Sequence, residues 1–491
     1  MPVTYKSSYF IYEGGKKEMK KRILSMLLVL VMAISTLAAC GNAGGSKTAN
    51  FDVPEGGYDG SEVTITFYHT MGANLRTVLD TYIAEFNKLY PNIHIEHEQV
   101  GSYDDVRETI ATKLTAGEEP NIAYCYPDHV AMYNISKSVV TLDNLIASEE
   151  VVTRADGSTE TLGLTQAQID DFIAGYYEEG KSFGDGLMYT LPLSKSTEVL
   201  YYNKTFFEAN GLEVPKTWDE LEALCAQILT LDDTCIPLGY DSEANWFITM
   251  CEQLGTDYTS ATGDHYLFDN DENKAFVKDF REWHQKGYLT TQVLSGAYTS
   301  ALFTAETGTN SYMSIGSSAG ATHQRPAKGE DGNYPFEVGI ATIPQVNAED
   351  PKVISQGPSL CIFQKDGEEG AQEVLASWLF VKYLTTNVEF QAEFSMVSGY
   401  VPVLKSVAEH EVYKEFLNGA DGGDNIAALS AKICMEQEKA YYTSPAFNGS
   451  STARDEVGAL MAECLSTKTD DVDALIDKAF QDAIDECEYY D

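Results

Sequence analysis

The chain has 491 residues, with 33 Lys and Arg against 75 Asp and Glu, for a formal net charge of -42. So acidic a chain repels phosphate backbones and anionic lipid headgroups, which excludes nucleic-acid binding and attachment through a basic membrane patch. The length exceeds what one hydrophobic core accommodates and predicts two domains.

From Met19 the chain reads "MKKRILSMLLVLVMAISTLAACGN". Lys20, Lys21 and Arg22 precede an apolar run from Ile23 to Leu37, too short for a membrane span and suited to a signal peptide over residues 1–39. Residues 1–18 are not apolar, so Met19 is an alternative start. Leu37-Ala38-Ala39-Cys40-Gly41 resembles the lipobox of bacterial lipoproteins. That resemblance implies cleavage before Cys40 and a diacylglycerol anchor of the palmitate type on its thiol. The protein would then sit on the extracytoplasmic face of the cell membrane, held by acyl chains alone, each buried methylene contributing about 0.8 kcal/mol. An ordinary secreted protein with a chance cysteine here stays open. The leader removes six cations and two carboxylates, which brings the mature charge near -46. Residues 40–61, rich in Gly, Ser, Asn and Asp, read as a flexible tether. Eight cysteines remain beyond Cys40, without a CxxC pair. Cys225 and Cys235 are the only close ones, and a disulfide between them stays open.

Order is predicted from Val63, where "VTITFYHT" has strand composition. Leu75, Val78, Leu79, Tyr82, Ile83, Phe86 and Leu89 recur at helical spacing, and Pro91 stops that helix. "IHIEHEQV" is a second strand, Val106, Ile110 and Leu114 mark a second helix, and "NIAYCY" is a third strand. This alternation predicts βαβ units and a mostly parallel sheet, with ligands beyond the carboxyl ends of its strands. A second block follows. In "VPKTWDELEALCAQIL", Thr217 and Glu220 form a capping box. "CIPLGY", "YMSIGSS" and "FEVGIATIP" are strands. Val472, Leu475, Ile476, Ala479, Phe480, Ala483 and Ile484 form one apolar stripe on a terminal helix. Between the blocks lies "LPLSKSTEVLYYNK", polar in its first half and strand-like in its second.

"ITFYHTMG", "AEFNKLYPNIHI", "GSYDDV", "LPLSKSTEVLYYNKTFFEANGLEVPKTWDEL" and "GYVPV", in this order and spacing, resemble the extracellular solute-binding proteins of ABC importers, in the class of the maltose- and glycerol-phosphate-binding proteins. The resemblance covers nearly the whole mature chain. It implies an α/β fold of two lobes, each a mostly parallel sheet flanked by helices, joined by three crossings near Leu193–Thr197, Ile354–Ser359 and Ser398–Pro402. The lobes are expected over 62–193 plus 358–397 and over 198–354 plus 403–491. It also implies capture of a carbohydrate by a monomer without a cofactor and without covalent chemistry. Delivery would be to membrane permease subunits driven by a separate ATPase.

Carbohydrate sites combine hydroxyl-binding polar groups with aromatic rings. Ser196 and Thr197 in the first crossing, Gln356 and Gly357 in the second, and Tyr400 in the third are therefore candidate contacts. His69, Met71, Glu98 and Asp128 follow or end first-lobe strands. Trp246 and Phe247 lie where the family carries an aromatic platform, and Ser317 and Ser318 follow "MSIG". The glycerol-phosphate branch carries an arginine before the penultimate helix. The only one here, Arg454, is expected to pair with Asp455 or Glu456, which favours a neutral saccharide over glycerol phosphate or a polyol.

Two other classes are weaker. Gly316-Ser317-Ser318-Ala319-Gly320 matches a G-x-S-x-G elbow formally, but no helical pattern follows Ser318, and only His410 is left as a base. His94 and His97 point to opposite faces of a strand. Asp269, Asp271 and Asn273 begin like a calcium loop, yet Lys274 replaces its glycine.

Overall fold

The computed structural model describes residues 50–305, 308, 310–422 and 425–490. The signal peptide and Cys40 lie outside the described residues. Two five-stranded sheets organise the chain. The first runs Ile93–Gln99, Val63–His69, Ile122–Cys125, Ser359–Ile362, Leu191–Pro192 across its width, and the second Val338–Thr342, Glu198–Asn203, Met313–Ser317, Leu238–Tyr240, Leu289–Thr291. Each sheet has four strands in one direction and one reversed. The reversed strands, Ser359–Ile362 and Glu198–Asn203, are those the chain builds immediately after passing from the other sheet.

Around the first sheet pack helix α1 (Ala73–Leu89), ended before Pro91 as its sequence predicts, and α2 (Tyr103–Ala116). Ser102 caps α2 in a reciprocal box with Asp105. The short helix α3 (Pro127–Tyr133) begins where the strand Ile122–Cys125 ends. Around the second sheet pack α4 (Trp218–Leu231), with the predicted Thr217–Glu220 capping box, then α5 (Glu243–Leu254) and α6 (Asp271–Gln285). Helix α7 (Ser450–Ser466) lies against α5 and α6, and α8 (Val472–Tyr490) buries Ile476, Ala479, Phe480 and Ala483 as one stripe. No described helix is long and apolar enough to cross a membrane.

Residues 50–61 depart from the expected tether. Phe51 and Tyr58 are buried in the first sheet's core, the Asn144 side-chain amide donates to Phe51 O, and Gly56 N donates to Glu150. Two aromatic side chains in a polar stretch suffice to fasten it, and the periodicity criterion misses them. The eight described cysteines are buried and none is in a disulfide, Cys225 and Cys235 included.

The three crossings lie side by side. Lys195 exchanges both backbone hydrogen bonds with Val401, and Ser196 both with Gln356. A fourth segment joins them where Val353–Ile354 pairs in parallel with Tyr441–Tyr442. Gly357 sits at φ 97°, and a Cβ there would lie 2.7 Å from Ser194 O. The position therefore needs glycine for close approach of two crossings, a backbone role.

Candidate functional site

A cavity of about 570 Å³ opens between the two sheets' halves, beside the crossings. One wall comes from the first half: Tyr103 and Arg107 on α2, the α3 start with Asp128 and His129, and Glu179. The other comes from Asp241 to Asn245 at the α5 start, Tyr258, and Arg454 and Asp455 on α7. Gln356 and Ser355 of the second crossing and Ser444 close its back.

Two arginines span the cavity in opposite directions. Arg107 Nη2 is 3.4 Å from Asp104 on its own helix and 3.7 Å from Asp455 on α7. Arg454 Nε is 3.6 Å from Asp128 on α3, and its Nη1 donates to Asn245 Oδ1 at 2.7 Å. Burial pushes the Asp128 carboxyl up, but His129, Arg454 and Arg107 outweigh it and hold the group below the usual carboxylate range. Burial lowers the His129 imidazole, so the ring is neutral at pH 7. Burial raises the Asp455 and Asp241 carboxyls.

Behind Arg454 a polar chain runs into the second core. Asn245 Nδ2 donates to Glu198 Oε1 at 3.3 Å, and the Tyr240 hydroxyl to Glu198 Oε2 at 2.6 Å. Burial pushes the Glu198 carboxyl up to about 7. Tyr103 stacks on Tyr126 at 4.5 Å, and both belong to the cavity wall. Among the described residues, five polar atoms of the wall are buried without a hydrogen-bond partner: the Tyr103 hydroxyl, His129 Nδ1, the Tyr258 hydroxyl, Gln356 Oε1 and Ser444 Oγ. Buried polar atoms are normally paired, so these five point to a polar occupant.

Of the residues singled out from sequence, Asp128 and Gln356 line the cavity. The others do not. Trp246 and Phe247 are wholly buried: Trp246 lies 4.8 Å from the Tyr240 ring and 4.0 Å from that of Phe280, and Phe247 packs on Phe276. Ser242 caps α5 through Asn245 N, and this start puts Asn245 toward the cavity and the next two rings into the core. His69 continues the inward face of Ile65 and Phe67, as strand alternation demands. It touches His97 at 2.9 Å and accepts from Met71 N, and burial with the neighbouring His97 lowers its pKa to about 3. Met71 is core, and Glu98 is exposed on the edge strand away from the cavity.

Ser196 is buried in the crossing ribbon. Thr197 Oγ1 donates to Ile354 O at 2.7 Å, and Thr197 N to Ser318 Oγ at 3.1 Å. Ser318 is fully buried and serves as glue between first crossing and second sheet, with no histidine bonded to it among the described residues; Ser317 caps the turn that follows. Tyr400 is half-buried behind Tyr103. Lys274 bonds Asp269 at 2.8 Å, filling the loop that resembled a calcium site.

Arg454 is the main correction. It reaches the cavity, bonded to Asn245 and Asp128, where pairing with its sequence neighbours was expected. Sequence reasoning also missed Arg107, His129, Asn245, Tyr258 and Glu179. The Ser242-x-x-Asn245 cap and the Tyr103–Arg107 spacing on one face of α2 are the only signals that point to any of them.

Two sheet-based halves enclosing a polar cavity at three crossings define a two-lobed solute-binding protein. A family model for bacterial extracellular solute-binding proteins matches residues 81–417, and the chain belongs to that family. Among curated relatives, the sn-glycerol-3-phosphate-binding periplasmic protein UgpB of Yersinia pestis bv. Antiqua (strain Antiqua) is 24% identical over 375 residues, covering 73% of this chain and 78% of that protein. Among solved structures, UgpB from Mycobacterium tuberculosis in complex with glycerophosphocholine aligns with a TM-score of 0.67 at 18% identity, over 87% of this chain and 98% of that one. The cyclic alpha-maltosyl-1,6-maltose binding protein from Arthrobacter globiformis aligns with a TM-score of 0.64 at 19% identity, over 87% and 100%.

Proposed function

We propose that this protein is the capturing component of an ABC importer for a neutral carbohydrate, anchored through Cys40 and acting as a monomer. Lobes of residues 62–193 with 358–397 and 198–354 with 403–491 would close on the solute, because only the closed form lets both contact it. The closed protein would then dock on permease subunits that a separate ATPase drives. No covalent chemistry is assigned to it.

The observation that carries the carbohydrate reading is the balance of charge and hydrogen-bonding capacity in the cavity. Asp104, Asp128, Glu179, Asp241, Glu243 and Asp455 face only Arg107, Arg454 and, behind Glu179, Lys195. Both arginines already hold aspartates. An occupant rich in hydroxyl donors satisfies these acceptors and His129 Nδ1 or Gln356 Oε1. A phosphate adds negative charge to a surplus of it.

A second reading, glycerol phosphate or a related phosphodiester, is favoured by Arg454 itself and by the relatives that bind such solutes. It requires Arg454 to leave Asp128 for the phosphate. Thermal-shift screening separates the two. Maltotriose, glucose, glycerol, glycerol 3-phosphate and glycerophosphocholine would each be added to protein lacking residues 1–40. Stabilisation by a sugar alone, weakened in Gln356→Ala, supports the first reading. Stabilisation by phosphorylated compounds alone, abolished in Arg454→Ala, replaces it with the second.

A further inference from the structure

Glu198 is the first residue of its strand, directly after the first crossing, and lies buried behind the cavity wall. Its two oxygens accept from two other elements of the second half. The Tyr240 hydroxyl donates to Oε2 at 2.6 Å, and Asn245 Nδ2 to Oε1 at 3.3 Å. Asn245, buried at the α5 start, turns the other atom of its amide to the cavity: Oδ1 accepts from Arg454 Nη1 of α7 at 2.7 Å. A primary amide has a donor end and an acceptor end. Turned over, this one would set its oxygen against a carboxylate and its NH2 against a guanidinium. The two partners therefore select one orientation from opposite ends. Arg454 alone is a single tether on a side chain that can still rotate, and Glu198 supplies the second tether from a strand. A carboxylate in this core costs stability that an aliphatic side chain would not, and burial pushes its pKa up to about 7.

We infer that Glu198 is a positioning residue for solute capture: it holds the Asn245 amide with its oxygen toward Arg454, and so fixes where that guanidinium stands on the cavity wall. The inference rests on the reading that this cavity receives the solute, and on neither choice of solute. With a sugar, Arg454 stays between Asn245 and Asp128, whose Oδ2 is 3.6 Å from its Nε, and presents its remaining N–H groups in a fixed plane. With a phosphodiester, Arg454 gives up Asp128, and the bond to Asn245 keeps its donor fork at the wall. In both cases the guanidinium is ordered before the solute arrives, which spares the cost of ordering it on binding. Glu198 acts only through Asn245.

The first test reads Arg454 itself and needs no solute. Protein lacking residues 1–40 contains six arginines, so its guanidinium nitrogen-15 signals are few, and Arg454→Lys assigns one set. In wild type the bond to Asn245 is expected to slow rotation of the Arg454 guanidinium, so that its two Nη groups give separate signals. Glu198→Leu removes the anchor and should speed that rotation about tenfold, the value of one hydrogen bond. Glu198→Gln keeps an acceptor for Asn245 and a hydrogen-bonding group for Tyr240, and should restore the slow rotation. Where Glu198→Leu alone does not fold, Glu198→Leu with Tyr240→Phe also removes the orphaned hydroxyl and is read in the same way. Wild-type rotation in the Leu variant overturns the inference, as does free rotation in wild type. A Gln variant as mobile as the Leu variant overturns it too, because charge rather than amide orientation would then hold Arg454. The second test is affinity for maltotriose or glycerol 3-phosphate, whichever stabilises wild type. It should fall about tenfold in the Leu variant and recover in the Gln variant; equal affinity in all three removes Glu198 from solute capture. Stabilisation by neither compound counts against the solute readings alone, and the rotation rates still decide whether Glu198 positions Arg454.

Discussion

The crossing ribbon and the cavity beside it are made of the same residue types, and they differ in what their polar atoms hold. Along the ribbon, Lys195, Thr197 and Ser318 are fully buried and bonded to carboxylate, carbonyl or backbone amide. In the cavity wall, His129, Tyr258, Gln356 and Ser444 keep buried atoms without a protein partner. Gln356 belongs to both: its backbone pairs with Ser196 and its side chain faces the cavity. Polar composition therefore marks the junction of the lobes, and an unpaired atom points to the binding surface only where it also lines the cavity, since Ser194 Oγ of the ribbon is buried without a partner as well. Substitutions should separate the two regions by stability on one side and solute affinity on the other.

The largest losses of stability belong to the glue and to the core behind it. Lys195→Ala strands the Glu179 carboxylate in a buried site, and breaking such a pair costs about 3–5 kcal/mol. Trp246→Ala removes an indole packed between Tyr240 and Phe280 and is expected to cost about 3–5 kcal/mol as well. Denaturant unfolding measures both. The Trp246 variant should keep its solute affinity wherever it is folded. A loss of affinity without loss of stability would return that ring to the site and erase the contrast drawn here.

Glu198 gives an intermediate effect with a defined pH window. Its folded pKa of about 7 lies above the ordinary 4.5, because burial disfavours the carboxylate. The folded state thus binds more protons between these values, so this group's stabilisation is complete below pH 4.5 and is lost as pH rises through 7. In Glu198→Gln that loss is absent. The variant's stability relative to wild type should climb by up to about 3 kcal/mol between pH 4.5 and 7, and unfolding curves at several pH values read it. A difference that stays flat would mean Glu198 is ionised in the fold. His69 has the opposite sign. Its folded value near 3 means that its contribution is lost as pH falls below the ordinary 6.5.

Much of this architecture was legible in the chain. Periodicity located α1, the strand Val63–His69 and the stripe of α8, and the capping box located the start of α4. The segment around Ser194 to Thr197 was placed as a crossing by resemblance. The site was less legible, because a cavity wall depends on helix phase and on which polar atom finds a partner. The loop after Leu238–Tyr240 was the right place, but the Ser242 cap turns Asn245 to the cavity and Trp246 to the core. Strand alternation alone would have assigned His69 to the core with Ile65 and Phe67. Arg454 was misjudged because its partners, Asp128 and Asn245, are hundreds of residues away in sequence.

The smallest change in stability, and the sharpest contrast, is expected at Gln356. Its Oε1 has no protein partner to lose, so Gln356→Ala deletes an unsatisfied atom along with a half-buried side chain. Removing an unpaired buried acceptor relieves a desolvation penalty, which offsets the packing given up. The melting temperature should therefore stay close to wild type, within about 0.5 kcal/mol of stability. Affinity for the stabilising sugar should fall about tenfold, the value of one hydrogen bond made only with solute, as isothermal titration would measure. Ser196→Ala, at the residue whose backbone pairs with Gln356, should leave affinity unchanged, since its side chain is not on the cavity wall. If the two variants weakened binding equally, the ribbon and the cavity would be one surface, and the distinction between paired and unpaired polar atoms would lose its meaning here.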